Sequence, residues 1–261
     1  MLAFYKLIQL LSIGRPIVRR CDSYGDVEVY DTDDRRILAL GSIFEQSCQF
    51  KSNPAYLVHE HMRAMLLPLI YINPRHVTVL GLGGGCLVSC LFKHFCNLRL
   101  HAVELRKAVI DIAFEYFQLP VDQRLSVIKS DAWSYISSGE TEETDILFCD
   151  MYHSDGIERL QLHPKFIRQC RRLLNTQGWL VLNYFQSHWV HKSAFDTILS
   201  IFEKVYVCSL TTGNRIVLAT DTMPLLSHDM VAQRVDELEG LLGFSMMPYF
   251  MRMERFDLKV N

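Results

Sequence analysis

No run in this chain approaches the ~18–20 consecutive apolar residues that a membrane-crossing helix needs, so the sequence offers no such span. Charge of one sign is also missing. The 27 Lys and Arg are matched by 29 Asp and Glu, for a formal net charge of -2, without the basic excess of a dedicated nucleic-acid binder. The eight cysteines contain no CxxC pair and no His/Cys metal spacing, which argues against a zinc site or a disulfide scaffold. Several lie in apolar runs, where a thiol behaves as a small hydrophobe, and the expectation is a reduced, cytoplasmic protein. Internal repeats and low-complexity tracts are absent as well. The apolar stretch 1–13 does not read as a signal peptide. Lys6 and Gln9 interrupt it, no small-residue cleavage site follows, and Arg15, Arg19 and Arg20 come after it instead of before. A short amphipathic helix packed on the body is expected there.

What is present is a core-forming chain. A hydrophobic fraction of 49% over 261 residues suits one large domain with an appendage. Residues 26–31 and 36–40 alternate polar and apolar positions around Thr32-Asp33-Asp34 and read as a hairpin. Residues 47–54 read as a polar loop, and 56–72 as a helix stopped by Asn73-Pro74. From Val77 the pattern becomes strand and helix in alternation, with strands at 77–80, 99–103, 125–129, 145–149, 179–184, 204–210 and 215–220. Helices are expected at 87–95, 108–117, 133–137, 164–174 and 192–202. Unbroken apolar strands alternating with helices imply an α/β fold, a mainly parallel sheet covered on both faces, with an antiparallel final pair. The organisation expected is 1–74 as a helix, hairpin and connecting helix, 75–222 as a nucleoside-binding domain, and 223–261 as a helical tail.

The most informative stretch is Val77-Thr78-Val79-Leu80-Gly81-Leu82-Gly83-Gly84-Gly85-Cys86, followed about twenty residues on by Glu104 at the end of the next strand. Glycines let a backbone approach a ligand without a Cβ in the way, and an acid at that strand tip accepts ribose hydroxyls. Asp131 and Asp150 fall at the ends of later strands. In this plan Glu104 takes the ribose, Asp131 an exocyclic adenine amine, and Asp150 faces the reacting group. Trp133 and Trp189 are expected to pack.

At these residues the chain resembles the polyamine aminopropyltransferases, the spermidine and spermine synthases, and more closely a group of short spermidine-synthase-like proteins. The motifs are Gly81-Leu82-Gly83-Gly84-Gly85, Ala102-Val103-Glu104-Leu105, Tyr116-Phe117-Gln118-Leu119-Pro120, Ser130-Asp131-Ala132 and Asp150-Met151-Tyr152 continuing to Asp155-Gly156-Ile157, with Ser23-Tyr24-Gly25 and Gln46-Ser47 around the hairpin. The resemblance implies a Rossmann-like class I methyltransferase fold behind a small β-hairpin region. It implies a nucleoside held by Gln46, Gly81, Gly83, Gly84, Gly85, Glu104, Leu105, Asp131 and Ala132, and catalysis around Asp150, Tyr152 and His153. The co-substrate would be decarboxylated S-adenosylmethionine, whose aminopropyl group passes to a small-molecule amine, with no metal, nucleic acid or membrane involved. A homodimer is compatible with that reading.

The chain departs from the family pattern at three places. Cys86 stands where the synthases carry an acid, His153 stands where they carry a second Asp, and His59-Glu60-His61 only loosely echoes a Tyr-His-Glu motif. Each departure weakens recognition of a diammonium substrate, for which Asp155 or Glu158 are the available substitutes. His61 and His153 are also candidate bases, since imidazole titrates near neutrality. Two other readings stay open. One is a methyltransferase of the same fold using intact S-adenosylmethionine on a small molecule or protein, which Cys86 favours. The other is a nucleoside-binding protein without turnover. A nicotinamide dehydrogenase is a weaker reading, because no hydride-transfer partner is evident.

Overall fold

The computed structural model describes residues 15–41, 45–139, 141–153, 156–157, 159–185 and 192–256. The expected amphipathic segment 1–13, Asp155, Glu158 and Trp189 lie outside them.

Strands β1 (Val18–Asp22), β2 (Gly25–Asp31), β3 (Arg35–Leu40) and β4 (Glu45–Phe50) form an antiparallel sheet in chain order. The hairpin read from the sequence is its centre. The polar loop expected over 47–54 is corrected at its start, because Ser47, Cys48 and Gln49 are buried in β4, paired with β3. Their polarity hid a strand that lies against the glycine turn at 81–85. Tyr56 to Ile72 is likewise not one helix. Helix α1 (Glu60–Met65) ends at Leu66, and Pro68, which has no N–H to donate, sits in a tighter turn over Leu67–Ile70.

The main sheet contains β5 (His76–Leu80), β6 (Arg99–Glu104), β7 (Leu125–Lys129), β8 (Thr144–Cys149), β11 (Leu174–Phe185), β12 (Lys204–Ser209), β13 (Asn214–Thr220) and β14 (Met253–Phe256). A short hairpin of β9 (Tyr152–His153) and β10 (Gly156–Ile157) branches off after β8. The order across the main sheet is β14-β12-β13-β11-β8-β5-β6-β7, with parallel pairing from β11 to β7 and antiparallel pairing from β11 to β14. Strand β11 starts at Leu174, earlier than its apolar run suggests, with a register irregularity before Trp179.

Side chains alternate between two cores, as strand geometry requires. Val79, Ile146, Phe148 and Val181 face one, beneath α1, α2 (Cys86–His94) and α7 (His228–Leu242). Leu80, Leu147, Leu180 and Leu182 face the other, beneath α4 (Ala132–Ser137), α5 (Pro164–Leu173) and α6 (Lys192–Ile201). This is the expected sheet with helices on both faces. The tail is helical only in part. Ser227 caps α7 by accepting the Met230 N–H, Gly243 ends it in the left-handed conformation, and after α8 (Met247–Phe250) the chain becomes β14 at the sheet edge. That strand is short and carries Glu254 and Arg255, features that blunt an exposed edge and mask its apolar period.

The amino-terminal sheet is fastened to α3 (Lys107–Tyr116). Val27, Val29, Leu38 and Leu40 pack on Val109, Ile112 and Phe117. Buried Arg106 donates to both Asp22 oxygens at 2.9 and 3.0 Å and to the Gly25 carbonyl at 2.6 Å. Among the described residues no helix is long and apolar enough to cross a membrane.

Candidate active site

The chain leaves β5 for β6 and β7 on one side and returns to β8 on the other. The carboxyl ends of β5 and β8 therefore flank a topological switch point, where open α/β sheets bind ligands. Gly81 donates its N–H to the Val103 carbonyl at 2.9 Å, and Asp150 donates its own to the Leu80 carbonyl at 2.9 Å. The two segments touch. Gly81 has φ +94°, and a Cβ there would lie 2.3 Å from the backbone oxygen of Asp150. A Cβ on Gly84 would meet the Phe117 ring at 2.7 Å, while the Gly84 N–H donates to Ser47 Oγ at 2.9 Å. The glycine turn is thus clamped between β8, β4 and the end of α3, ahead of Gly85, which starts α2.

Glu104 ends β6 and accepts the backbone N–H groups of Leu82 at 3.1 Å and Arg106 at 2.8 Å. Burial pushes its carboxyl above the ordinary value, against the opposing pull of the Arg106, Leu82 and Gly83 amides. It links the glycine turn to the ribose end of the expected site, with half-buried Leu105 beside it. Asp131 is exposed and caps α4, accepting the Ser134 N–H at 2.9 Å. The hydrogen bonds from Ser134 hold its carboxyl below the usual range. Ala132 opens that helix and Gln46 lies half-buried in β4. Trp133 packs against the α4–α6 core, as expected.

Asp150 is half-buried, and its Oδ1 accepts the Asn183 side-chain N–H at 2.8 Å. Asn183 Oδ1 in turn accepts from Asn214 at 2.9 Å. The Tyr152 hydroxyl donates to the Asn183 carbonyl at 3.2 Å, and burial followed by the Asp150 charge raises that phenol well above its ordinary value. His61 stacks on His59 with ring centroids 5.1 Å apart, and His59 contacts Glu45 at 2.5 Å. Burial pushes His61 down to about 4, although the charge of Asp150 pulls it upward. His61 is therefore a neutral imidazole beside Asp150. The backbone of His153 pairs with Gly156, and its side chain lies outside the described atoms.

A stability test follows from His61. The unfolded imidazole takes up its proton near 6.5 and the folded one only near 4, so within that window the unfolded chain holds the extra proton. Stability accordingly falls as pH drops from 6.5 toward 4. Thermal melts of His61→Phe should lose less midpoint over this range than the parent, and equal losses would remove His61 as a contributor.

Sequence reading missed Asn183 and Asn214, and it named Ser47 only as part of the hairpin motif, not as a partner of the glycine turn. Asn183 had a visible signal, since it is a lone amide inside the apolar strand 179–185, and buried polar groups demand partners. The Cys86 thiol is buried and points to the Cys48 carbonyl at 3.6 Å, so it engages the seam with β4. Its burial pushes the thiol up to about 12, leaving an uncharged group. A cleft of about 400 Å³ lined by Arg35, Phe50, Tyr56 and Arg63 shares none of the site residues. Among the described residues no group of three His, Cys, Asp or Glu side chains is placed to hold a metal ion.

The sequence matches the spermine/spermidine synthase domain over residues 56–218, from the segment before α1 into β13. The chain belongs to the spermine/spermidine synthase family. Among curated family relatives, the polyamine aminopropyltransferase of Neisseria meningitidis is 28% identical over 226 residues, covering 84% of this chain and 86% of that protein. The corresponding protein of Chromobacterium violaceum is 27% identical over 92% of this chain and 93% of its own length. The fold is also shared. A probable spermidine synthase from Corynebacterium glutamicum superposes with a TM-score of 0.71 at 19% identity, covering 92% and 90% of the two chains. Human methyltransferase-like protein 13, solved with SAH, superposes at 0.59 and 22% identity, over 70% of this chain and 89% of its own. The fold of this chain is therefore a class I methyltransferase-like sheet behind an antiparallel amino-terminal sheet.

Proposed function

We propose that this chain transfers an aminopropyl group from decarboxylated S-adenosylmethionine to an amine acceptor. The observation that carries the reading is Asp150. Its carboxylate stands at the switch point, its backbone touches Gly81 of the nucleoside turn, and one of its oxygens is already held by Asn183. In this reading Glu104 takes the ribose hydroxyls, Asp131 and Ala132 the adenine side, and Gln46 and Gly83 complete the cradle.

Only a neutral amine attacks a sulfonium-activated carbon. A carboxylate within hydrogen-bond reach orients the amine and accepts its proton as the carbon–nitrogen bond forms and the carbon–sulfur bond breaks, with the electron pair leaving on sulfur. His61, held neutral, adds no competing positive charge at this point. Tyr152 forms the wall of the acceptor side through its contact with Asn183.

The buried, uncharged thiol of Cys86 is engaged with the Cys48 carbonyl, so it offers no acid to the free amine of a decarboxylated donor and no charge to repel the carboxylate of an intact one. Donor choice must come from the rest of the pocket. The decisive measurement is calorimetric titration with both donors, coupled to mass detection of products from an amine panel. Tight decarboxylated donor with aminopropylated product supports the proposal, whereas tight intact donor with methylated product replaces it. Because His153 stands in place of a second acid, putrescine is expected to be a poorer acceptor than a monoamine or a bulkier amine. Robust spermidine formation would overturn that expectation.

A further inference from the structure

Asp150 does not stand alone at its strand end. Asn183 is buried to 1% exposure in β11, and its side-chain N–H reaches Asp150 Oδ1 at 2.8 Å. The opposite end of the same carboxamide accepts from Asn214 at the start of β13, at 2.9 Å, and Asn214 Oδ1 accepts the Thr212 hydroxyl at 3.1 Å. Strands β11 and β13 pair around these residues, with Asn183 opposite Ile216 and Phe185 opposite Asn214, so the two amides are held by one ladder.

A carboxamide has a donor end and an acceptor end, and a half-turn exchanges them. If Asn183 turned over, its oxygen would face the Asp150 carboxylate and its NH2 would face the NH2 of Asn214. Both contacts would become repulsive. The Asp150 carboxylate and the donation from Asn214 therefore select the same orientation of Asn183, and Asn214 reinforces it from the far end.

We propose that Asn183 and Asn214 are positioning residues for the transfer step: Asn214 locks the Asn183 amide so that it occupies one oxygen of Asp150 and turns the other toward the acceptor amine. This rests on the reading of Asp150 as the group that receives the proton. Among the described residues Oδ2 makes no hydrogen bond, and it is the oxygen that takes the amine proton as the new carbon–nitrogen bond forms. Among the described residues the titratable groups facing Asp150 are His61 from α1 and Tyr152 from β9. His61 also senses Glu45 and His59; all of these are present in every variant compared, and Asn214→Asp alone adds a further carboxylate.

The test is a kcat–pH profile with nucleoside affinity measured in parallel. Asn214→Ala removes the lock and is expected to lower kcat about 10-fold with unchanged affinity for the adenosyl ligand. Asn214→Asp keeps the shape but only accepts, so it leaves the Asn183 oxygen without a donor and competes with Asp150 for the Asn183 NH2. It should cost about 10²-fold, the scale of a misplaced catalytic group. Its acid limb should move up by about 1–2 pH units, as expected when an ionised carboxylate loses a hydrogen bond. Asn214→Ser, which restores a small donor, should recover part of the loss and serves as the alternative if the Asp variant fails to fold. Wild-type kcat and pH profile in the Asp variant, alongside an inactive Asp150→Asn, overturn the lock alone. Full turnover in Asp150→Asn overturns the role of Asp150 and with it the lock.

Discussion

Replacing Asp150 with Asn is expected to leave folding and nucleoside binding intact while lowering turnover by about 10²–10⁴-fold, the scale of general acid–base assistance. The substitution keeps the shape of the side chain and its capping ability but removes both the charge and the basicity. Its neighbours define what else changes. The Asn183 amide at 2.8 Å still finds an oxygen, so the buried β11 ladder is not left with an unpaired donor. The Asp150 backbone N–H to Leu80 is untouched. The charge that pulls upward on His61 disappears, which should make that imidazole still harder to protonate. Single-turnover kinetics with saturating donor would separate the chemical step from binding. Wild-type turnover would remove Asp150 from the chemistry and direct attention to His61 and His153.

The central sheet was legible because its strands are nearly continuous apolar runs, which only a sheet buried on both faces requires. Strand β7 was placed to the residue, and β5, β6 and β8 to within one. The glycine turn and Glu104 were legible for a different reason, since close backbone approach and ribose binding both constrain residue type at fixed spacing. What escaped was structure made by tertiary contact. Strand β4 looked like a loop because Ser47 and Gln49 are polar, yet Ser47 spends its hydroxyl on the Gly84 N–H of another segment. Strand β14 was hidden by the charges that protect an edge. The Asn183–Asn214 pair joins residues 31 apart, and no local period carries that information. That the Cys86 thiol enters the seam with β4 was not legible either, because sequence gives the position of a side chain on a helix but not which seam it enters.

Gly81→Ala is expected to lose both nucleoside binding and turnover, through backbone rather than through any side-chain chemistry. A Cβ at this position would sit 2.3 Å from the Asp150 oxygen and 2.9 Å from its carbonyl carbon, both main-chain atoms at the end of a buried strand. Neither can swing aside as a side chain can. The left-handed φ of +94° adds strain of about 1–2 kcal/mol for any residue with a Cβ. The two contributions can be separated by Gly25→Ala. That glycine has φ +99° with nothing within 4 Å of the added methyl, so the variant reports the conformational cost alone. Denaturant unfolding of Gly25→Ala should therefore show about 1–2 kcal/mol of destabilisation. Gly81→Ala should exceed it, because the added methyl forces β5 and β8 apart at the switch point. Displacing Asp150 by even ~1 Å is enough to cost about 10²-fold in rate. Equal destabilisation of the two variants, with turnover preserved in Gly81→Ala, would mean that the strand ends separate freely and that the Gly81–Asp150 contact does not set the geometry of the site.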